Sequence, residues 1–251
     1  MKKERWILIS SILVVWQILS WMEVFPPYKL PSPIDVVAGF KKLLIEGTPP
    51  GFRLHGHAFY SLYRVAFGYL LACLFAIPLG LLMGWSKRLH NLINPVVEVV
   101  RPIPPLAWIP IAILWFGIGI KSAAFIIFLG VFFPILLNTV AGVLSINTTL
   151  IEAARTLHAT ERDIFFKVLF PAAVPSIFTG MRIGIGIGWM TLVAAEFTGV
   201  KEGYGLGYMI MTSRDIQKPD EIIAGMLCIG FIGLLIDAGI KFFESRLIRW
   251  A

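Results

Sequence analysis

Long stretches without a charged side chain recur along this sequence, and each is long enough to cross a lipid bilayer. An α-helix rises 1.5 Å per residue, so about 20 apolar residues span a hydrocarbon layer of ~30 Å. Uncharged runs of this kind occupy residues 65–85, 102–120 and 122–151. Charged residues make up 15% of the chain, against about 25% in an ordinary soluble protein. The sequence therefore predicts an all-α membrane protein.

Six transmembrane helices are predicted within a single domain that covers residues 1–251. The first follows a basic tetrapeptide, but its apolar run is longer than that of a signal peptide, and Trp21-Met22-Glu23 does not resemble a cleavage site. This run is therefore expected to remain as a helix. The predicted spans are approximately 6–22, 60–85, 102–120, 122–147, 174–198 and 222–240.

The distribution of basic residues predicts the orientation of the chain. Six spans place both termini on one side, where 12 Lys and Arg residues lie outside the spans, against 8 on the other side. The positive-inside rule then predicts cytosolic termini. The net charge of +7 is attributed to this topology rather than to nucleic-acid binding. In the first external loop, residues 34–46 predict a short surface helix.

Glycines at helical spacing predict that helices pack closely. They form one group at Gly80 and Gly84 and another at Gly180, Gly184 and Gly188. Small residues let helix backbones approach each other in lipid. The pattern therefore favours a packed bundle.

A charged segment between the fourth and fifth spans, residues 152–171, differs in composition from the rest of the chain. Good helix formers run from Glu152 to Leu157, and Thr160 with Asp163 has the spacing of a capping box that starts a second helix. Pro171 is expected to interrupt that second helix. The segment predicts a helix, a turn and a helix.

The first of these helices has a surface suited to close contact. Ala153 and Ala154 are small and stand beside charged residues, so they would let a soluble partner approach the helix. An amphipathic loop without a partner is the alternative interpretation.

With its Glu-Ala-Ala sequence and following turn, the charged segment resembles the EAA loop of ABC importer permeases. The resemblance covers most of the chain from residue 30 and is to the nitrate, sulfonate, taurine and bicarbonate branch of that family. It implies a type I ABC importer permease (MetI-like) fold with six transmembrane helices. The similar segments are 30–33, 61–65, 101–110, 115–119, 132–135 with Asn138-Thr139, and 194–196 followed by 205–207.

The resemblance implies that residues 152–171 form a coupling helix that rests on a cytosolic ATPase. Members of the family usually have glycine where this chain has His158, so the backbone there is expected to adopt a positive φ with some strain. The coupling residues implied by the resemblance are Glu152, Ala153, Ala154, Arg155, His158, Ala159, Asp163 and Pro171.

Ionisable groups inside a span are costly and mark candidate pathway positions. Arg182 either snorkels or braces a neighbouring helix, or it faces an anion on the pathway. Glu196 and Asp237 are expected near opposite membrane faces, as structural partners or gate elements. The resemblance places the helix that contains residues 189–191 beside the pathway. The pathway candidates are Arg182, Trp189, Met190, Thr191, Glu196 and Asn138.

The sequence predicts no catalytic function for this polypeptide. A phosphate-binding Gly-x-x-x-x-Gly-Lys-Ser/Thr motif does not occur, and the four histidines do not share the spacing of metal ligands. No cofactor or metal of the chain's own is therefore expected. ATP and Mg²⁺ would bind to partner ATPase subunits.

The predicted function is that of the permease subunit in an ATP-driven importer for a small oxyanion, namely an aliphatic sulfonate or taurine, nitrate or bicarbonate. The implied partners are a second copy of the chain, two cytosolic ATPases and an extracytoplasmic solute-binding protein, in the inner membrane of a prokaryote. A non-transporting membrane scaffold is a third option, and the main alternative is an ion-coupled secondary transporter or a channel without an ATPase. Inverted repeats with broken helices would favour that alternative, and none is evident in the sequence.

Overall fold

The computed structural model describes residues 2–49, 51–197 and 204–247. These residues are almost entirely helical, and their only β-type pairing is an isolated bridge between Thr48 and Phe52. The prediction of an all-α protein is confirmed. The helices are α1 Lys2–Trp21, α2 Pro33–Ile45, α3 Leu54–Trp85, α4 Lys87–Val100, α5 Ile109–Phe116, α6 Ile120–Leu144, α7 Thr148–Thr156, α8 Glu161–Asp163, α9 Phe170–Phe197, α10 Leu206–Asp215 and α11 Pro219–Leu247.

Four helices in the described part of the chain are long and apolar enough to cross a membrane. They are α3, α6, the continuous helix Glu161–Phe197 and Pro219–Phe242, and they correspond to the second, fourth, fifth and sixth predicted spans. A fifth candidate is the pair Lys87–Val100 and Pro105–Phe116. The first predicted span lies in α1, whose apolar part, Ser10–Trp21, is shorter than a full span. The total of six spans stays a prediction.

The predicted span 102–120 does not form one helix. A 3₁₀ turn, Pro105–Trp108, leads into α5, and this pair of elements is bent by 84° from α4. The three prolines between residues 102 and 105 lack a backbone N–H, and Pro104, which directly precedes Pro105, is extended with a φ of -56° and a ψ of 135°. Gly117, with a φ of 72°, ends α5. Proline chemistry therefore overrides the apolar pattern here.

The chain divides into two compact units. Unit 1 comprises Met1–Leu62 and Glu196–Ile232, and unit 2 comprises Tyr63–Ala195 and Gly233–Ala251. In unit 2, glycines let α3 and α9 approach α6, as the sequence predicted. A Cβ atom added at Gly80 would lie 2.7 Å from Thr139 Cβ, and one added at Gly180 would lie 2.8 Å from Asn138 Cβ. No larger side chain fits at these two contacts without movement.

In unit 1, the predicted surface helix forms as α2. Ser32 and Asp35 cap its first turn with reciprocal hydrogen bonds, which is a capping box. Gly39 approaches the start of α11 so closely that a Cβ atom there would lie 2.9 Å from an Asp220 carboxylate oxygen. Lys42 pairs with the buried Glu221 at 3.6 Å. These contacts hold α2 against α11.

Candidate functional site

The segment predicted to couple to an ATPase forms the expected helix, turn and helix. α7 begins after Asn147, whose side-chain oxygen accepts a hydrogen bond from the Thr149 N–H. The second helix begins after Thr160, which forms the predicted capping box with Asp163. Both helix starts are therefore encoded by short polar side chains.

The turn between the two helices is built around His158. Its φ is 59°, so the predicted positive φ is confirmed at a non-glycine residue. The His158 N–H donates to the Arg155 carbonyl at 2.9 Å and the Ala159 N–H donates to the Ala154 carbonyl at 3.0 Å. This pair of hydrogen bonds is the Schellman pattern that satisfies the last carbonyls of a helix.

An ion pair closes the same turn from outside. Arg155 Nε and Nη2 donate to the two carboxylate oxygens of Glu161 at 3.1 and 3.4 Å. Two parallel hydrogen bonds from one guanidinium fix the geometry of a pair better than a single contact does. Arg155 and Glu161 therefore connect α7 to α8 across the turn.

Pro171 does not interrupt the second helix, contrary to the sequence expectation. Residues Ile164–Leu169 form a π-helical turn, in which the Phe170 N–H donates to the Phe165 carbonyl, five residues earlier. This wider turn accommodates the proline ring, which has no N–H and would clash with a carbonyl in a regular α-helix. The helix continues from Glu161 to Phe197.

The coupling segment has an exposed tip and an anchored base. Leu157, at the tip, is 82% exposed. At the base, Leu169 is buried in a cluster with Leu81 of α3 and Val143 of α6. A displacement of the tip would therefore act directly on the helices that form the core of unit 2.

Arg182 of α9 lies beside two carboxylates of α11. Its Nε is 3.3 Å from Asp237 Oδ1 and its Nη1 is 3.7 Å from Glu244 Oε2, while Lys241 also pairs with Asp237. Arg182, Asp237 and Glu244 line a cavity of about 470 Å³ together with Met190, which is 76% exposed. The charge of Arg182 is compensated within the chain, which is the arrangement expected of a brace between helices.

Among the other candidates, two residues of α9 are buried inside the protein and one residue of α6 lines a second cavity. Trp189 and Thr191 are buried; Thr191 Oγ1 donates to the Ile187 carbonyl of its own helix at 2.9 Å. Asn138 lines a cavity next to that of Arg182, and its Nδ2 donates to the Pro134 carbonyl at 2.8 Å. The structure brings together Arg182 and Met190, but not the other candidates.

Glu196 is fully buried in unit 1 and faces the start of α10. Its carboxylate accepts hydrogen bonds from Ser61 Oγ at 2.8 Å and from the Gly207 N–H at 2.9 Å. The Leu206 N–H donates to Ser61 Oγ at 2.9 Å, and the Gly205 N–H donates to His57 Nδ1 at 3.0 Å. Side chains of α3 and α9 thus satisfy three successive amides at the start of α10.

These contacts make Glu196 a hydrogen-bond partner of another element; its role as a structural partner or as a gate element stays a prediction. Backbone N–H groups at a helix start have no partner within the helix, and a negative charge there is favoured by the helix dipole. His57 and Ser61 were not among the site residues predicted from the sequence. Because Ser61 and Glu196 are 135 positions apart, no local pattern could have joined them.

Arg101 is a third residue that was not among the site residues predicted from the sequence. It follows α4 and lines the same cavity as Asn138, with a volume of about 350 Å³. In the sequence, Arg101 counts among the basic residues outside the spans and begins the similar segment 101–110. The run of prolines directly after it, which bends the chain, was the signal that could have set it apart.

The described residues contain no group of three or more His, Cys, Asp or Glu side chains that could hold a metal ion. Cys73 and Cys228 are free and half-buried.

Known proteins resemble this chain both in sequence and in fold. Residues 76–249 match the family described as "Binding-protein-dependent transport system inner membrane component". The chain is 36% identical to the taurine transport system permease protein TauC of Escherichia coli, and 39% identical to the nitrate import permease protein NrtB of Synechocystis. Each match covers 96% of this chain and 87% of the relative.

The fold has a counterpart among solved structures. A chain in the inward-facing MetNI methionine ABC transporter superimposes with a TM-score of 0.64 at 22% identity, over 77% of this chain and 93% of that chain. The type I ABC importer permease fold predicted from the sequence is thereby confirmed. Since the family match extends over more than half of the sequence and two permeases match it almost from end to end, this chain belongs to the binding-protein-dependent inner-membrane components, the permease subunits of ABC importers.

Proposed function

We propose that this permease carries a small oxyanion into the cell and that residues 152–171 couple it to a cytosolic ATPase. The observation that carries the proposal is the coupling segment, with its exposed tip and its base buried against α3 and α6. A partner that displaces the exposed end of such a segment would also move the membrane helices packed against its buried end. A solvated loop would need no such anchoring.

The surface of the segment supports a docking role. Its exposed apolar side chains include Leu157, Phe166 and Phe170, and the small Ala153 is also exposed. Exposed apolar side chains grouped on one surface mark sites of protein contact. The ATPase would cover these side chains, with Glu152, Arg155 and Asp163 at the rim of the contact.

The energy would come from the partner. The chain is proposed to be non-catalytic, with ATP and Mg²⁺ on two ATPase subunits and with two copies of the chain enclosing the pathway. ATP binding would close the ATPases, draw the two coupling segments together and open the pathway outward, and hydrolysis would reset it. A solute-binding protein would deliver the substrate from outside, with both termini of the permease in the cytosol of a prokaryotic cell.

The substrate class is inferred from chemistry that two similar permeases share. Those permeases are named for taurine and nitrate, and both compounds carry a compact group of oxygen atoms with a delocalised negative charge. Either would be recognised by planar guanidinium or amide donors. We extend this oxyanion class to the present chain.

Copurification and uptake test the proposal together. A tagged form of the chain, extracted in a mild detergent, is expected to bring down an ABC-type ATPase. In proteoliposomes with ATP inside and the binding protein outside, labelled taurine or nitrate should accumulate. Ala153→Trp should abolish both ATPase association and uptake, whereas Leu44→Trp, at an exposed position of α2, should preserve both. Uptake without the ATPase, or normal association of Ala153→Trp, would contradict the proposal.

A further inference from the structure

We infer that the cavity around Arg101 and Asn138 is an anion site that selects a short organic oxyanion of the alkanesulfonate type over an inorganic anion such as nitrate. The inference rests on the proposed function and narrows its substrate class. The cavity has a volume of about 350 Å³ and is formed by the segment after α4, by α6 and by α9. That volume lies within the range of small-ligand pockets.

Arg101 supplies the charge of the site. Among the residues that the structure describes, no carboxylate forms an ion pair with it, whereas Arg182 lies near Asp237 and Glu244. A guanidinium presents a planar set of N–H donors that matches an oxyanion with two parallel hydrogen bonds. Of these two arginines, Arg101 is the one whose charge is left for a ligand.

Asn138 supplies a second, oriented donor. One hydrogen of its Nδ2 is used by the Pro134 carbonyl at 2.8 Å, which fixes the plane of the amide. The amide nitrogen carries a second hydrogen, and Asn138 lines the cavity. That second N–H can donate to an anion held by Arg101.

The walls of the cavity select for an alkyl group. Ten of the twelve lining residues are apolar, among them Trp108, Phe133 and Ile183. Nitrate would lose water without covering this apolar surface. The methylene groups of an alkanesulfonate would cover it, and each buried methylene increases affinity about fourfold. Affinity should therefore rise with alkyl length until the cavity is filled.

Equilibrium binding to the purified, nucleotide-free complex of permease and ATPase tests the site without the binding protein. Labelled butanesulfonate is the probe, competed by methanesulfonate, ethanesulfonate and nitrate. We expect affinity to increase from methanesulfonate to butanesulfonate and nitrate to compete at least tenfold more weakly than butanesulfonate. This series needs no variant, so it is independent of any folding defect.

The variants then locate the site. Arg101→Gln should weaken butanesulfonate binding at least tenfold, because the charged donor pair is lost. Arg88→Gln removes the same charge from an exposed position on α4 outside the cavity and should leave binding unchanged. Wild-type affinity in Arg101→Gln, or equal binding of nitrate and butanesulfonate, would overturn the inference.

The same preparations separate this inference from the proposed function. If the ATPase copurifies and an oxyanion accumulates, but the Arg101 variant or the alkyl series behaves otherwise than expected, only the anion site fails. If neither ATPase association nor oxyanion uptake is observed, the proposed function fails and the inference fails with it.

Discussion

Replacing Glu196 with alanine should destabilise the protein more than any surface substitution. The carboxylate is fully buried and accepts hydrogen bonds from Ser61 Oγ and the Gly207 N–H at 2.8 and 2.9 Å. Hydrogen bonds to a charged group contribute about 1.5–3 kcal/mol each. We expect a loss of about 3 kcal/mol in unfolding free energy, the lower end of the sum, because alanine also removes the cost of burying a charge.

Titration of the purified protein with sodium dodecyl sulfate in mixed micelles, followed by circular dichroism, measures this loss. Glu196→Gln should lower the free energy of unfolding by less than Glu196→Ala does, since the remaining oxygen still accepts one hydrogen bond. Glu46→Ala removes an exposed carboxylate at the end of α2 and should stay within about 0.5 kcal/mol of the wild type. If Glu196→Ala were as stable as Glu46→Ala, the capping role assigned to Glu196 would be refuted.

Three further outcomes are expected. Gly180→Ala should lower the free energy of unfolding by about 1–3 kcal/mol in the same titration, because its Cβ would lie 2.8 Å from Asn138 Cβ. Gly186→Ala has open space around its added Cβ and should not lower the free energy of unfolding. Arg182→Lys should retain most uptake. Arg182→Glu should reduce the amount of folded protein recovered by size exclusion, because it adds a third carboxylate beside Asp237 and Glu244. A large rise in the substrate concentration that half-saturates uptake by the lysine variant would instead place an anion at Arg182. In a chain whose two cysteines are replaced, Glu46→Cys should react with an impermeant thiol reagent outside the cell and Glu161→Cys should not; the opposite labelling would reverse the assigned orientation.

The helices that cross apolar surroundings could be predicted because their signal is local. Glycine spacing, the caps at Thr160 and Asp163, and the uncharged runs other than residues 102–120 are local patterns, and each corresponds to a feature of the structure. The family resemblance was equally accessible, since it rests on short motifs in order along the chain. The alternative of a transporter or channel without an ATPase is overturned by membership of the ABC permease family.

Two deviations arose where backbone chemistry opposed the hydrophobic pattern. The prolines after Arg101 interrupt an apolar run that, by composition alone, would be predicted as one span. The chain bends there, next to the cavity that Arg101 lines. At Pro171 the opposite happened, because the π-helical turn before it keeps the helix continuous. Neither outcome follows from residue type alone, since a proline either breaks a helix or is accommodated according to the turn that precedes it.

The assembly at the start of α10 could not be predicted for a different reason. His57, Ser61 and Glu196 meet only after folding, and the helix amides that they satisfy carry no sequence signature. The ion pair between Arg182 and Asp237 likewise joins residues that are 55 positions apart in the sequence. Long-range polar contacts of this kind decide whether a charge in a span is structural or exposed to a ligand.

Photocrosslinking from the tip of the coupling segment tests whether residues 152–171 dock on a cytosolic ATPase. A benzophenone amino acid placed at Leu157, which is 82% exposed, should form an adduct with the cytosolic ATPase when intact cells are irradiated, and mass spectrometry would identify the partner. The same amino acid at Leu44 of α2 should capture no ATPase. An adduct with the ATPase at Leu157 alone is the expected result; the absence of that adduct from a folded, membrane-inserted protein, or an ATPase adduct at Leu44, would contradict docking through residues 152–171.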